Sequence, residues 1–495
     1  MKKINIFITT SLTALAVLAS CKKLNLYPSN AIEISQSFKT VKDATTWDNG
    51  VYAKFRGVQY GSYSFYTEVQ ADELNATLDY GNRNGAPGRW DGTFTADDQT
   101  LGPQWQNFYN AIANVNVAIN GYPTIPATAA SDIASINQYL GDAYLARAYY
   151  YHRLILRWAK PYEPATAATD LGVPLVLTYD ISALPARATV KAVYDQIISD
   201  ITKAENLLAG TAGAQGSKYF TIDAARALEA RVRLSMQDWT GAYNAANTLI
   251  TGGKYPLITS QAAFSAYWAT DGVQETIMQM AVNSSELPNV NNIYLGLRAA
   301  DLKYDPDFVP SQWVINMYAS ADIRKAAYFA QLPVIVQGVN YPNTWLVNKY
   351  PGNPIYFTTA ITNYVNVPKV FRIAEMYLIA AEAAKNANNE PNALIALNAL
   401  RIARGLTPSV STGAALTQDI RDERFRELAF EGFRLDDLKR WHLGFTRNSP
   451  QNANMLTQGS QYYTLSVAAD ADKFVWGIPT NDIVINKNLV QNPGW

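Results

Sequence analysis

The chain of 495 residues has one cysteine, two histidines and no excess of either charge. A lone cysteine, Cys21, closes no intrachain disulfide and builds no thiolate metal cage. Ser–His–Asp or Cys–His catalysis would need His152 or His442, because the chain has no other histidine. His152 lies in YYYHRLIL, the flank of an expected helix. His442 follows Trp441 at a helix end, where a cation suits the dipole. There is no HExxH, no CxxC, no P-loop and no GxGxxG strand–turn–helix. The sequence therefore assigns no catalytic residue, no cofactor and no metal. Lys and Arg number 41, Asp and Glu 41, with no basic stripe, which gives no electrostatic case for nucleic acid. After the first twenty residues no apolar run approaches a membrane span.

That first run is informative. Lys2 and Lys3 precede an uncharged stretch, Ile4 to Ser20, of the length and character of a secretory h-region. It ends Leu18-Ala19-Ser20-Cys21, which resembles the lipobox of bacterial lipoproteins. The resemblance implies a signal peptide over 1–20, a diacylglycerol on the Cys21 thiol and an acylated new amino terminus (palmitate is the expected kind of chain). Several acyl chains anchor a protein stably where one does not. An ordinary secretory signal and an uncleaved anchor helix are the alternatives. Removing 1–20 takes away Lys2 and Lys3, leaving 39 basic and 41 acidic residues, a net charge of −2.

Aromatic residues are abundant, with 31 Tyr, 11 Trp and 17 Phe. Rings of this kind suit wide amphipathic binding surfaces as well as cores. Apolar spacing predicts a helix over 37–60, with Ala44, Trp47, Val51, Tyr52 and Phe55 on one face. From Gly61 to Asp98 the chain is dense in Gly, Asn, Asp and Arg and reads as a long structured loop. Helical periodicity returns from Trp105, again from Asn137 up to Pro161, and again from Val190 through Val193, Ile197, Ile201 and Leu207.

Residues 224–250 and 372–405 look like one helical hairpin used twice. Each has an Ala-rich first helix, a polar turn, and a second helix with Ala and Leu inward, similar to tetratricopeptide packing. Between them, 251–370 is mixed, with β-rich VQETIMQMAV and a Gly/Pro/Asn-rich loop, GVNYPNTWLVNKYPGNPIYF. The expected fold is mainly α: one α-helical domain of tetratricopeptide-like hairpins, long loops and a few short strands. Its N-terminal part spans 21–250 and its C-terminal part 251–495.

Near the end the chain resembles the SusD/RagB family. Glu423-Arg424-x-x-Glu427-Leu428-Ala429-Phe430-Glu431-Gly432-x-Arg434-x-x-Asp437-Leu438-x-Arg440-Trp441 looks like its signature helix. Ile478-Pro479 through Asn486 and Gln491-Asn492-Pro493-Gly494-Trp495 are similar to its C-terminus. RIAEMYLIAAEA followed by LNALRIARG matches its second hairpin, and ADEL, WQNFYNAIANVN and GDAYLARAYYYHRLILRW agree more loosely. The resemblance implies an outer-membrane lipoprotein that captures a nutrient, usually a glycan. It also implies a SusC-like TonB-dependent β-barrel transporter as partner. One departure is Lys22-Lys23, where many members carry acidic residues linked to surface export.

In the signature stretch, Phe425, Leu428, Ala429, Gly432 and Leu435 are expected on one helix face, with acids and arginines pairing at i, i+3 and i+4 around it. A Glu427/Glu431 pair also invites an acid/base reading. So dense an alternation of signs keeps each carboxylate ionised, which favours a structural role. A glycoside hydrolase and a ligand-free scaffold remain the two alternatives to a binding protein. A sugar site wants ring faces for stacking and planar polar groups for hydroxyls. The loop 72–92 supplies Asp72, Glu73, Asn75, Tyr80, Arg83, Arg89 and Trp90, and the later loop supplies Tyr341 and Trp345. These are the candidate ligand-binding residues.

Overall fold

The computed structural model describes residues 34–495 except Tyr60, 79–83, 289–291, Ser449 and 457–459. The helices that matter for the site begin with α1 (Val41–Gly57). Its start is a capping box: Thr40 Oγ1 accepts from the Asp43 amide, and Asp43 Oδ2 accepts from the Thr40 amide at 2.8 Å. Two donors that a helix start leaves orphaned are thereby satisfied. Ala44, Val51, Tyr52 and Phe55 are buried at the expected spacing, and half-buried Trp47 stacks on Phe38 with ring centroids 5.0 Å apart. The next helices are α2 (Ser62–Gln70), α3 (Leu101–Gly121), α4 (Ala130–Trp158) and α5 (Val190–Leu207). α4 stops ahead of Pro161, whose ring disfavours helical geometry at the residue before it.

Two helical hairpins follow: α6 (Ile222–Ser235) with α7 (Trp239–Thr251), and α8 (Ile373–Asn386) with α9 (Glu390–Ala403). Their turns use the same device. A left-handed residue, Gln237 (φ 58°) or Asn388 (φ 60°), precedes a side-chain cap. Asp238 then accepts from the Gly241 amide at 3.0 Å, and Asn389 from the Asn392 amide at 3.2 Å. α8 packs on both α9 and α7. Buried Ala380, Ala383 and Ala384 on one hairpin, and Ala242 and Ala246 on the other, have side chains small enough for close approach. One cluster of buried apolar side chains runs from Phe38 to Leu489.

The signature stretch is not one helix. α10 (Gly413–Leu428) ends, and α11 (Arg434–Arg440) begins after a tight turn. Phe430 (φ 64°) and Gly432 (φ 83°) are left-handed there. A Cβ on Gly432 would stand 3.2 Å from the Ser64 Cα, so close approach and backbone conformation both favour glycine. The Gly432 N–H donates to Glu68 on α2.

Among the described residues the strands form five two-stranded antiparallel pairs, of which three bear on the site: β1 (Leu74–Ala76) with β3 (Phe308–Pro310), β2 (Thr276–Gln279) with β6 (Lys369–Arg372), and β4 (Phe329–Val336) with β5 (Val339–Val347). Two loop expectations are corrected here. Residues 61–98 contain α2, β1 and a helical turn, Ala86–Arg89, so less of that stretch is loop than its Gly/Asn content suggests. Most of GVNYPNTWLV is the second strand of a hairpin turned at Gln337-Gly338, both at positive φ (50° and 77°). The register slips between Leu332 and Val334, opposite Pro342-Asn343. A bulge of that kind is where a strand tolerates a residue with no N–H.

Candidate functional site

The acids of the signature stretch are deep in the protein. Fully buried Glu427 accepts from Arg372 at 2.8 Å, from Arg404 Nε and Nη2 at 2.9 Å each, and from Arg324 at 3.2 Å. Glu431 accepts from Arg372 Nε at 3.0 Å and from Lys349 Nζ at 2.7 Å. Glu275 accepts from Arg404, and Glu423 from Arg324. Burial alone would push these carboxyls up. Around Glu427 the cations Arg404, Arg372 and Arg324 reverse that and hold it well below the usual range; Arg372 and Lys349 lower Glu431. The partners thus come from distant elements rather than from the adjacent helix turn. Arg424 turns to Asp437 instead, and Arg434 to Asp72. The cluster ties α10, the following turn, β6 and the residue after α9 together. Charges so engaged have no proton to give to a substrate.

The candidate residues of 72–92 fall into two sets. Asp72 is buried and receives both Arg434 Nε and Nη2, at 2.8 and 2.7 Å, in a bidentate pair. Glu73 is fully buried, and neither carboxyl oxygen has a hydrogen-bond partner among the described residues. Burial pushes its carboxyl up to about 8, against a smaller opposing pull from Arg434 and Lys349. Asn75 donates from Nδ2 to Ser311 Oγ at 2.7 Å across the β1–β3 pair. Trp90 is half-buried at φ 57°. Its indole N–H donates to the Gln70 carbonyl at 2.7 Å, and its ring sits edge-to-face against Phe474 and Phe445, at 5.0 and 5.7 Å. Arg89 is half-exposed and donates to Thr93. Tyr80 and Arg83 lie outside the described residues, as does Cys21.

Asn75 and Arg89 line one cleft, together with Phe308, Leu456, Tyr462 and Tyr463. Arg447 holds its walls. The buried guanidinium donates to the backbone carbonyls of Val69, Ala71, Gly88 and Tyr462, which joins α2, the helical turn and the 460s. Burial keeps its pKa down at about 10. Tyr341 and Trp345, half-buried on β5, adjoin this region despite the sequence separation. The Gln451 amide donates to the Pro310 and Trp345 carbonyls at 2.7 and 3.0 Å, and its carbonyl accepts from the Trp345 N–H at 3.0 Å. Gln337, at the β4–β5 turn, donates to the Leu78 carbonyl at 3.0 Å. β3 and the Gln451 amide thus bridge the two candidate segments, while Trp90 points its ring into a separate apolar cluster.

Sequence reasoning missed Tyr462, Tyr463, Arg447 and Gln451. The signal for the tyrosines is present: QGSQYYTLS has the same polar, aromatic composition as the two candidate loops. Nothing local marks Arg447 or Gln451, whose roles depend on backbone carbonyls far away in sequence. Among the described residues no group of His, Cys, Asp and Glu is arranged to hold a metal, and no helix is long and apolar enough to cross a membrane.

The chain and its fold resemble known proteins. Residues 234–495 match the model of the SusD family, and residues 29–234 match a model described as starch-binding associating with outer membrane. The chain is 28% identical over 553 aligned positions to SusD-like protein P38 of Formosa agariphila, covering 99% of each. A crystal structure of a SusD superfamily protein from Bacteroides thetaiotaomicron superposes with a TM-score of 0.78 at 24% identity, covering 92% of this chain and 100% of that one. A surface glycan-binding protein A from Bacteroides fluxus superposes with a TM-score of 0.69 at 20% identity, covering 92% and 99%.

Proposed function

The chain belongs to the SusD family, whose members are outer-membrane-associated carbohydrate-binding proteins and not enzymes, and from that premise we propose that it is a lipoprotein which captures an oligosaccharide at the cell surface and passes it to a SusC-like TonB-dependent β-barrel. The observation that carries this reading is the joint reach of the two family matches, from residue 29 to residue 495. Acylation of Cys21 supplies the anchor, with several chains for stable retention. Lys22 and Lys23 follow the anchor.

The ligand lies along the cleft of Asn75, Arg89, Tyr462 and Tyr463 and reaches Tyr341 and Trp345 on β5. The tyrosine and tryptophan faces stack on the C–H faces of pyranose rings, and Arg89 takes hydroxyls, with buried Asn75 behind it committed through its amide nitrogen to Ser311 and offering at most its carbonyl. Asp72, Glu73 and Trp90 sit in the layer beneath and beside that surface, where they set its shape. Tyr80 and Arg83 belong to the same stretch of chain and complete the proposed set. An open surface leaves many sugar hydroxyls wet, so affinity is modest.

A cell-fractionation experiment tests the anchoring and the partner together. Tagged wild type is expected in the membrane fraction, co-purifying with a TonB-dependent barrel, and Cys21→Ser is expected in the soluble fraction. Full membrane retention of Cys21→Ser with unchanged migration would contradict the lipoprotein reading, and wild type purifying without any barrel would contradict the delivery step.

A further inference from the structure

A second cleft lies at the far end of α11, where the turn of the first hairpin meets the end of α8 and the middle of α10. It is an open cleft of about 240 Å³ with Trp239 and Trp441 among its lining residues. That is below the size of a drug-sized pocket and close to what one sugar ring needs. Most charges on its walls are already engaged. Glu382 accepts from the Trp441 indole at 2.7 Å and from Arg440, and His442 holds Glu163 and Asp470 at 2.7 Å each. Lys385 pairs with Glu390 at 3.2 Å.

Arg421 is the exception. Its guanidinium lies over the Trp441 ring at 5.2 Å, with Arg440 over the same ring at 5.3 Å. It makes no hydrogen bond and no ion pair among the described residues, and its Nε is buried without a partner. A shielded guanidinium donor with no acceptor is costly unless something arrives to accept. Gln237 and Asn386 also line the cleft; their amide nitrogens donate to backbone carbonyls, so their side-chain oxygens are the groups left to accept from hydroxyls. Half-buried Trp239 is a second ring lining the cleft.

We propose that this cleft is a separate binding site for a single acidic sugar residue, a pyranose bearing a carboxylate or a sulfate. The anionic group meets Arg421, the ring lies on Trp239, and its hydroxyls donate to Gln237 and Asn386. The planar fork of arginine suits either anion, because both present two coplanar oxygens to it. The carbohydrate class comes from the family; the site is otherwise independent of the Asn75–Trp345 cleft, and the test keeps the two apart.

The test is a ligand-observed NMR titration of the mature protein with methyl β-glucuronide, methyl glucoside 6-sulfate, neutral methyl glucoside and inorganic sulfate. At least one of the two anionic glycosides is expected to bind, roughly tenfold or more tighter than the neutral glycoside and the free anion. Whichever binds identifies the anion. Arg421→Gln is expected to weaken that ligand roughly tenfold or more, while neutral oligosaccharides keep their affinity for the other cleft. Trp239→Ala is expected to weaken the same ligand and serves if the Arg421 variant does not fold. Binding of neither anionic glycoside, equal binding by the variants, or inorganic sulfate binding as tightly as the glycosides would each overturn the proposal.

Discussion

The signature region and the Asn75–Trp345 cleft are both rich in polar residues, yet they use them in opposite ways. Around Glu427 the charges are buried and mutually engaged: three arginines converge on one carboxylate, and all three serve neighbouring acids as well. In the cleft, Arg89, Tyr462 and Tyr463 are half-exposed over a floor of buried Asn75, Phe308 and Leu456, and the tyrosines are rings on which a sugar can stack. Charge density in a sequence motif is therefore a poor guide to where chemistry happens. In this molecule the motif with the most ionisable groups is the one that holds the scaffold in register, joining α10, β6 and the end of the second hairpin.

Breaking the charged cluster gives the largest expected effect. Glu427→Ala leaves Arg404 and Arg372 buried with an unmatched charge, and removing one member of a buried ion cluster costs about 3–5 kcal/mol. Denaturant unfolding checks it, and a loss near zero would mean that water or other acids replace the carboxylate. The cluster also fixes the direction of pH dependence. Glu423, Glu427 and Glu431 are held below the ordinary 4.5, so their stabilisation is present above that value and is lost as pH falls through the folded-state values. Wild type is expected to lose stability steeply in acid, and Glu427→Ala less steeply.

Glu73 provides the converse case. Its carboxyl is pushed up to about 8, above the ordinary 4.5, so the folded protein keeps a proton that the unfolded chain releases. Stability falls as pH rises between those two values. Glu73→Gln removes the penalty, with an expected gain of about 2–4 kcal/mol near pH 8 that vanishes near pH 4. Unfolding curves at the two pH values measure it; an unchanged difference would mean that Glu73 has a partner that keeps it ionised.

The two tryptophans sharpen the comparison within the site itself. Trp345→Ala is expected to weaken oligosaccharide binding by about 1–3 kcal/mol, on the stacking scale known for bases. Trp90→Ala is expected to act on stability first, because its ring fills the gap between Phe445 and Phe474 and its N–H holds the Gln70 carbonyl. Paired melting and titration experiments separate the two. Equal binding losses with no change in melting for Trp90→Ala would return that ring to the ligand surface.

The helices were legible where one face repeats. The face of α1, the 190–207 helix and both hairpins follow from apolar spacing that tertiary packing only reinforces. What misled was local composition. The run SYSFYTEVQ forms α2 within a stretch whose neighbouring Gly and Asn dominate the reading. β5 contains Pro342 and Asn343, which read as a turn until the bulge opposite Leu332–Val334 is seen. The signature stretch looks continuous, yet it breaks because Gly432 must approach Ser64 closely, a contact across more than 360 residues. For the site, residue type pointed to the neighbourhood of Asn75, Arg89, Tyr341 and Trp345. It could not tell Asp72, engaged by Arg434, from Arg89, open to the cleft, because the arginine that decides the matter is also far away in sequence.

The central claim is that the polar aromatic cleft binds sugar while the carboxylate-rich motif performs no chemistry. Calorimetric titration of the purified mature protein with a panel of oligosaccharides, run beside a reducing-end assay on the same mixtures, tests it most directly. The account predicts saturable heat with at least one oligosaccharide, lost in Trp345→Ala, and no new reducing ends over many binding lifetimes. Reducing ends that accumulate with wild type and disappear in a folded Glu427→Gln variant would contradict it.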